Sequence, residues 1–125
     1  MSTKVTNKAE EYKIKIHEAL KDLGISSSLV GHNYITHIIE GLLTNKYKDS
    51  DSLCYYIYEN TAKAFEGATR SSVERGIRHS VEKCFGKAPV SVIEKYFGNT
   101  VDPDTGKLTN KEFLYTLAEY IRVYN

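Results

Sequence analysis

Residues 53–86 read LCYYIYENTAKAFEGATRSSVERGIRHSVEKCFG, and this stretch decides the fold. It divides into two helical segments joined by a short turn, with Gly67 supplying backbone freedom in EGATR (66–70). Ser71 followed by Glu74 fits the S-x-x-E capping box, which predicts a second helix starting at Ser71. From there Val73, Ile77, Val81 and Cys84 recur at spacings of four, four and three, one face of a 3.6-residue period. At about 100° per residue, Ser71, Ser72, Arg75, Arg78, His79 and Glu82 gather on the opposite face. Gly76 and Ser80 fall on a flank between the two arcs, where small residues would let another helix approach closely. The pattern predicts a helix-turn-helix at about residues 52–86.

The polar arc carries chemistry suited to nucleic acid. An arginine fork bonds two acceptors on guanine, a serine or a helix-end N–H holds a phosphate, and a carboxylate accepts from the cytosine amine. Arg70, Arg75, Arg78, Lys83 and Lys87 face two acidic residues, Glu74 and Glu82, in this segment, while the whole chain is one positive charge from neutral. A local excess of this kind is the footprint of a nucleic-acid surface in a balanced domain. The same pattern fits a solvated helix face.

Working outward, 125 residues make one domain with room for a real core. Residues 1–10 read as a frayed N-terminus and 11–125 as one helical domain. Composition is that of a soluble protein, 41% hydrophobic and 26% charged, with ten tyrosines against four phenylalanines and no tryptophan. No apolar run approaches the roughly 18 residues that span a membrane, and no signal-peptide core is visible. Cys54 and Cys84 on predicted helices, without a secretion signal, suggest a reduced, cytoplasmic protein.

Asn7 and Glu10 can cap a first helix, whose apolar face runs through Tyr12, Ile16, Ala19, Leu20 and Leu23 to Gly24. ISSSLVG (25–31) reads as a connection, and a second helix is expected from about Asn33 to Leu43, burying Ile35, Ile38, Ile39 and Leu42, with His32 and His37 flanking it. NKYKDSDS (45–52) is a loop. The third helix, about Ser52–Phe65, is rich in aromatics (Tyr55, Tyr56, Tyr58, Phe65). These tyrosines suit either the core or a half-buried place at a nucleic-acid or protein surface. After Gly86, Pro89 fits the first turn of a short helix carrying Val92, Ile93, Tyr96 and Phe97, closed by Gly98. VDPDTGK (101–107) is a tight turn without the ligand spacing of a calcium loop. Thr109 and Glu112 form a capping box for a last helix burying Phe113, Leu117, Tyr120 and Ile121. The expectation is an all-α domain of about six helices around one core.

Catalytic patterns are weak. There is no H-E-x-x-H, glycine-rich phosphate loop or C-x-x-C, and His79 and Cys84 point to different faces of one helix. No enzymatic activity, cofactor or metal is expected.

The run S-x-V-E-R-x-I-R-H-x-V-E, Ser71–Glu82, resembles the recognition helix in the C-terminal effector domain of the sporulation master response regulator of endospore-forming bacteria. Ala62-Lys63-Ala64-Phe65 is similar to that family's A-K-K-F. Phe97-Gly98-x-Thr100-Val101 and Thr109-Asn110-x-Glu112-Phe113 resemble its F-G-x-T-V and T-N-x-E-F, and Gly31 to about Leu43 is a weaker match. The resemblance covers roughly residues 12–123. It implies a six-helix domain whose third and fourth helices form a helix-turn-helix, sequence-specific binding to short boxes in duplex DNA, often as tandem head-to-tail copies, and contact with RNA polymerase and its sigma factor. It places base or phosphate contacts at Ser71, Ser72, Glu74, Arg75 and His79, with Arg78 a neighbouring candidate. Arg70, ahead of the expected cap, and Lys83 and Lys87 are the phosphate candidates. Ser72 stands where the family has an arginine, and the turn after Phe65 is one residue longer; both bear on which box is read. Too few residues precede the match for a receiver domain, so the expected control is concentration and weak self-association on adjacent sites, through the C-terminal helix (Tyr115, Tyr120, Tyr124) or the loop at 99–108. A module of the same fold that binds polymerase, sigma factor or a related regulator is the alternative.

Overall fold

The computed structural model describes residues 8–98 and 107–124. It has six α-helices: α1 (Lys8–Asp22), α2 (Val30–Leu43), α3 (Tyr58–Ala64), α4 (Arg70–Lys87), α5 (Val90–Phe97) and α6 (Asn110–Tyr124). A π-helical turn, Leu53–Ile57, leads into α3. No strand occurs among the described residues. The all-α, six-helix expectation holds.

α2 organises the packing. Its apolar residues Tyr34, Ile35, Ile38, Ile39, Leu42 and Leu43 are all buried, and a helix apolar on most sides must lie inside a bundle. α1, α4 and α6 pack around it. α1 contributes Ile16, Ala19 and Leu20, and α6 contributes Phe113, Leu114, Leu117, Ala118 and Ile121. Arg122 at the far end of α6 donates from Nη2 to the Leu42 carbonyl at 3.3 Å, fastening α6 to the end of α2.

Where α2 crosses α4, no side chain separates the backbones. A Cβ on Gly31 would lie 2.1 Å from Ser80 Oγ and 2.3 Å from the Gly76 carbonyl oxygen. The small flank formed by Gly76 and Ser80 therefore admits a partner helix, and that partner is α2. Farther along α4, the connection from α1 to α2 comes close as well: a Cβ on Gly24 would lie 3.8 Å from Lys87 Cβ.

Several boundaries differ from expectation. α1 starts at Lys8, where an Asn7 cap would start it, though Asn7 itself lies outside the described residues. α2 begins at Val30 rather than Asn33, which puts His32 inside the helix and buries it. Its N-cap, Leu29, makes no side-chain cap bond, so no cap residue marks the start. The expected third helix is two pieces. Ser52 caps the π turn by accepting from the Tyr55 N–H at 3.0 Å, and regular α-helix starts only at Tyr58. α4 begins one residue earlier than expected, at Arg70. Pro89 is the N-cap of α5 rather than a first-turn residue. Gly24 and Gly98, with φ of +78° and +55°, end α1 and α5 as read. Thr109 caps α6: its N–H donates to Glu112 Oε1 at 2.9 Å and its Oγ1 accepts from the Glu112 N–H at 3.1 Å. Tyr120 is half-buried, not fully buried. Most of VDPDTGK and of the loop at 99–108, with Thr100 and Val101, lies outside the described residues.

Candidate nucleic-acid interface

α3, the turn Phe65–Thr69 and α4 form the helix-turn-helix. Gly67 makes the turn at φ +80°, and the Ala68 N–H donates to the Phe65 carbonyl at 3.1 Å. The cap of α4 is Thr69, not Ser71. Thr69 Oγ1 accepts from the Ser72 N–H at 3.1 Å and Ser72 Oγ accepts from the Thr69 N–H at 2.8 Å. This reciprocal pair is a capping box with serine in place of the usual glutamate. The N–H groups of Arg70 and Ser71 donate to nothing among the described residues, as is usual in a first helical turn.

The cap changes two assignments. Ser72, expected at the base edges, has its hydroxyl engaged with Thr69, to which it also donates at the carbonyl. Arg70, expected outside the helix, is the first residue of α4. Its guanidinium lies over the Tyr55 ring, 5.0 Å from the centroid.

On the outer face of α4, Arg75 and His79 are exposed, lie one turn apart, and have no bonding partner among the described residues. Ser71, Lys83 and Lys87 are exposed and likewise unpaired there. Arg78 is not free. Its Nη1 donates to both Glu74 carboxylate oxygens, at 3.0 and 2.8 Å. The pair is open to solvent, so it contributes only about 0.3–0.5 kcal/mol and can part when a stronger partner arrives. While it holds, Glu74 spends part of its acceptor capacity on Arg78 and is turned along the helix toward it. The candidates therefore separate into a free set (Ser71, Arg75, His79, Lys83, Lys87), a paired set (Glu74, Arg78), a stacked residue (Arg70) and a capping residue (Ser72).

The recognition helix is held from behind by α6. Asn110 Nδ2 donates to the Tyr58 hydroxyl at 3.2 Å and to the Glu74 carbonyl at 3.1 Å, so one amide ties α3, α4 and α6. Burial pushes the Tyr58 hydroxyl up to about 12, and it stays neutral. Beside this junction lies a cleft of about 360 Å³ bounded by Val81, Phe85 and Leu108. Among its polar groups, the Tyr58 hydroxyl and the Glu74 carbonyl accept from Asn110, and the Glu74 carboxylate accepts from Arg78. Among the described residues no three His, Cys, Asp or Glu side chains come together to hold a metal. No helix of the described residues is long and apolar enough to cross a membrane.

Three of these features were missing from the sequence reading. Thr69 was hidden because the Thr69–Ser72 and Ser71–Glu74 patterns compete over the same residues. Asn110 had only its place in the T-N-x-E-F motif. Tyr55 had no signal beyond being one aromatic among several.

A short helix, a glycine turn and a longer capped helix with an outward arginine and histidine define a helix-turn-helix domain. The family model for Sporulation initiation factor Spo0A C terminal matches residues 16–121. The chain belongs to that family, the DNA-binding effector domain of a sporulation regulator, a family of transcription regulation and not of enzymes.

Proposed function

We propose that this domain binds duplex DNA sequence-specifically by setting α4 into the major groove, and that it regulates transcription from the boxes it occupies. The observation that carries this reading is the pair Arg75 and His79: exposed, one turn apart, unpartnered among the described residues, and opposite the buried face of α4. An arginine held there can bond guanine O6 and N7 together. Lys83 and Lys87 continue the positive surface toward the end of the helix, where they suit phosphates on one strand. Arg78 and Glu74 join the readout only where the base sequence offers more than their surface ion pair does.

The alternative, a protein-binding module, draws support from the Glu74–Arg78 pair and from exposed Tyr55 and Tyr56. It is the weaker reading because Tyr55 is not an open apolar patch: a cation lies on its ring. Contact with RNA polymerase and sigma factor would use faces away from α4 and is compatible with DNA binding. Tandem, head-to-tail occupancy is the arrangement we favour on DNA, with exposed Val123 and Tyr124 at the end of α6 available for a weak contact.

The test is a mobility-shift selection from a random-sequence duplex pool, followed by titration of the selected duplex against a scrambled one. A preference of at least a hundredfold that collapses in Arg75→Ala supports the reading. Equal affinity for both duplexes, or none for either, removes it.

A further inference from the structure

We propose that Tyr55 is a positioning residue, holding the Arg70 guanidinium over its ring so that Arg70 grips a DNA phosphate at the leading edge of α4. The inference rests on the DNA-binding reading and extends the interface to a residue in front of the motif.

The π turn is what brings Tyr55 there. Cys54, Tyr55 and Tyr56 are three consecutive exposed residues, and the buried pattern resumes only at Ile57 and Tyr58. The N–H groups of Tyr56 and Ile57 both donate to the Ser52 carbonyl at 3.0 Å, the widened turn that sets this register. The wider turn leaves Tyr55 72% exposed, level with the first residue of α4. A large aromatic ring in that position contributes almost nothing to the core.

Arg70 is equally unexplained by folding. It stands at the N-terminus of an 18-residue helix, the end where a cation is disfavoured by the aligned peptide dipoles. Its side chain makes no ion pair or hydrogen bond among the described residues, and its guanidinium lies over the Tyr55 ring. A ring face restrains a guanidinium through its π-cloud and leaves the in-plane N–H donors unused. A carboxylate in the same place would have consumed them. The result is an arginine with restricted freedom, a full set of donors and access to solvent, beside the exposed Ser71 and five residues ahead of Arg75. An anion arriving there also relieves the unfavourable placement of the charge. Ser72 gives this weight: its hydroxyl closes the cap and its short side chain cannot reach far, so Arg70 is the long cation at this end of the helix.

A phosphate contact is independent of sequence, so a mixed-sequence 30-bp duplex is a sufficient probe. Binding is measured by fluorescence anisotropy across a salt series for the wild type, Arg70→Ala, Tyr55→Phe, Tyr55→Ala, the Arg70→Ala/Tyr55→Ala double variant and Arg75→Ala. Arg70→Ala is expected to lower the slope of log K against log salt by about 0.9, the loss of one phosphate. Tyr55→Phe keeps the ring and should match the wild type. Tyr55→Ala should lose about two- to fivefold, the worth of an exposed cation–π contact. The double variant should be no weaker than Arg70→Ala, since the ring acts only through the arginine. The free protein supplies an independent readout: ring-current shifts of the Arg70 side-chain protons, present in the wild type and Tyr55→Phe and absent in Tyr55→Ala. Tyr55→Ala binding like the wild type while Arg70→Ala is weakened, or Tyr55→Ala adding in full to Arg70→Ala, would overturn the positioning role and leave DNA binding standing. A wild type that binds no duplex overturns both.

Discussion

The α2–α4 crossing makes one substitution, glycine to alanine, change sign with position. At Gly31 the added Cβ would meet the Gly76 carbonyl oxygen at 2.3 Å and Ser80 Oγ at 2.1 Å. The serine hydroxyl can rotate away, but the carbonyl is backbone in the middle of α4, so the helices must separate. Overpacking of this kind costs about 1–3 kcal/mol. Against it stands the helix preference of alanine over glycine, about 0.5–1 kcal/mol. Gly31→Ala is therefore expected to lose about 1–2 kcal/mol net, read as a lower urea midpoint at unchanged slope. At Gly76 the new Cβ would come 3.1 and 3.2 Å from the Tyr34 ring and 3.5 Å from Val30, which asks only for a small ring movement. Gains and losses should nearly cancel there. At Gly86 nothing lies within 4 Å, so alanine should stabilise by up to about 1 kcal/mol. Because α2 also sets the tilt of α4, Gly31→Ala should weaken DNA binding beyond any loss of folded protein, while Gly86→Ala leaves it unchanged. A Gly31→Ala variant as stable as the wild type, or an order other than 86 above 76 above 31, would refute the crossing as described.

Other outcomes follow from the site. Arg75→Ala should cost about 1–3 kcal/mol against the selected duplex and much less against scrambled DNA, measured by competition titration. Asn110→Ala removes the partner of the buried Tyr58 hydroxyl and of the Glu74 carbonyl, and calorimetric or urea unfolding should register a loss of about 1–3 kcal/mol. Burial holds His32 and His37 below the ordinary value of 6.5, with His17 and Lys46 respectively adding to the effect. The unfolded chain therefore takes up protons first as pH falls below about 6.5, and urea midpoints should be level from about pH 7 to 8 and decline as pH falls below that range. His32→Gln should flatten the decline, and a midpoint that rises on acidification would reverse the assignment. Duplexes carrying two selected boxes in the same orientation should fill cooperatively while the free protein sediments as a monomer or a weakly associating species; strictly independent filling would leave a simple monomeric binder.

The sequence-level reading succeeds where one residue's chemistry decides the local structure. Val73, Ile77, Val81 and Cys84 recur with the helical period and are buried, Gly24 and Gly98 end their helices, and Thr109 with Glu112 caps α6. It slips where two local solutions compete or where the deciding partner is distant. Thr69 and Ser71 could each cap α4, and Glu74 is drawn to Arg78 rather than back to the cap. α2 starts at Val30 without a cap signal, because packing on α4 and α6 fixes it. The π turn places Tyr55 and Tyr56 outside while Tyr58 goes in, a choice that period counting over an assumed α-helix could not make. Which arginines are free depends on pairings four residues apart and on a ring fifteen positions upstream.

The two thiols of this chain are chemically far apart. Cys84 is fully buried on the inner face of α4, and burial pushes it up to about 11, so it stays a thiol at neutral pH. Cys54 stands exposed on the π turn, next to Tyr55. A maleimide dye at neutral pH would consequently attach to a single site without any engineered cysteine, placing a fluorophore a few residues from the face of α4 that is expected to meet DNA.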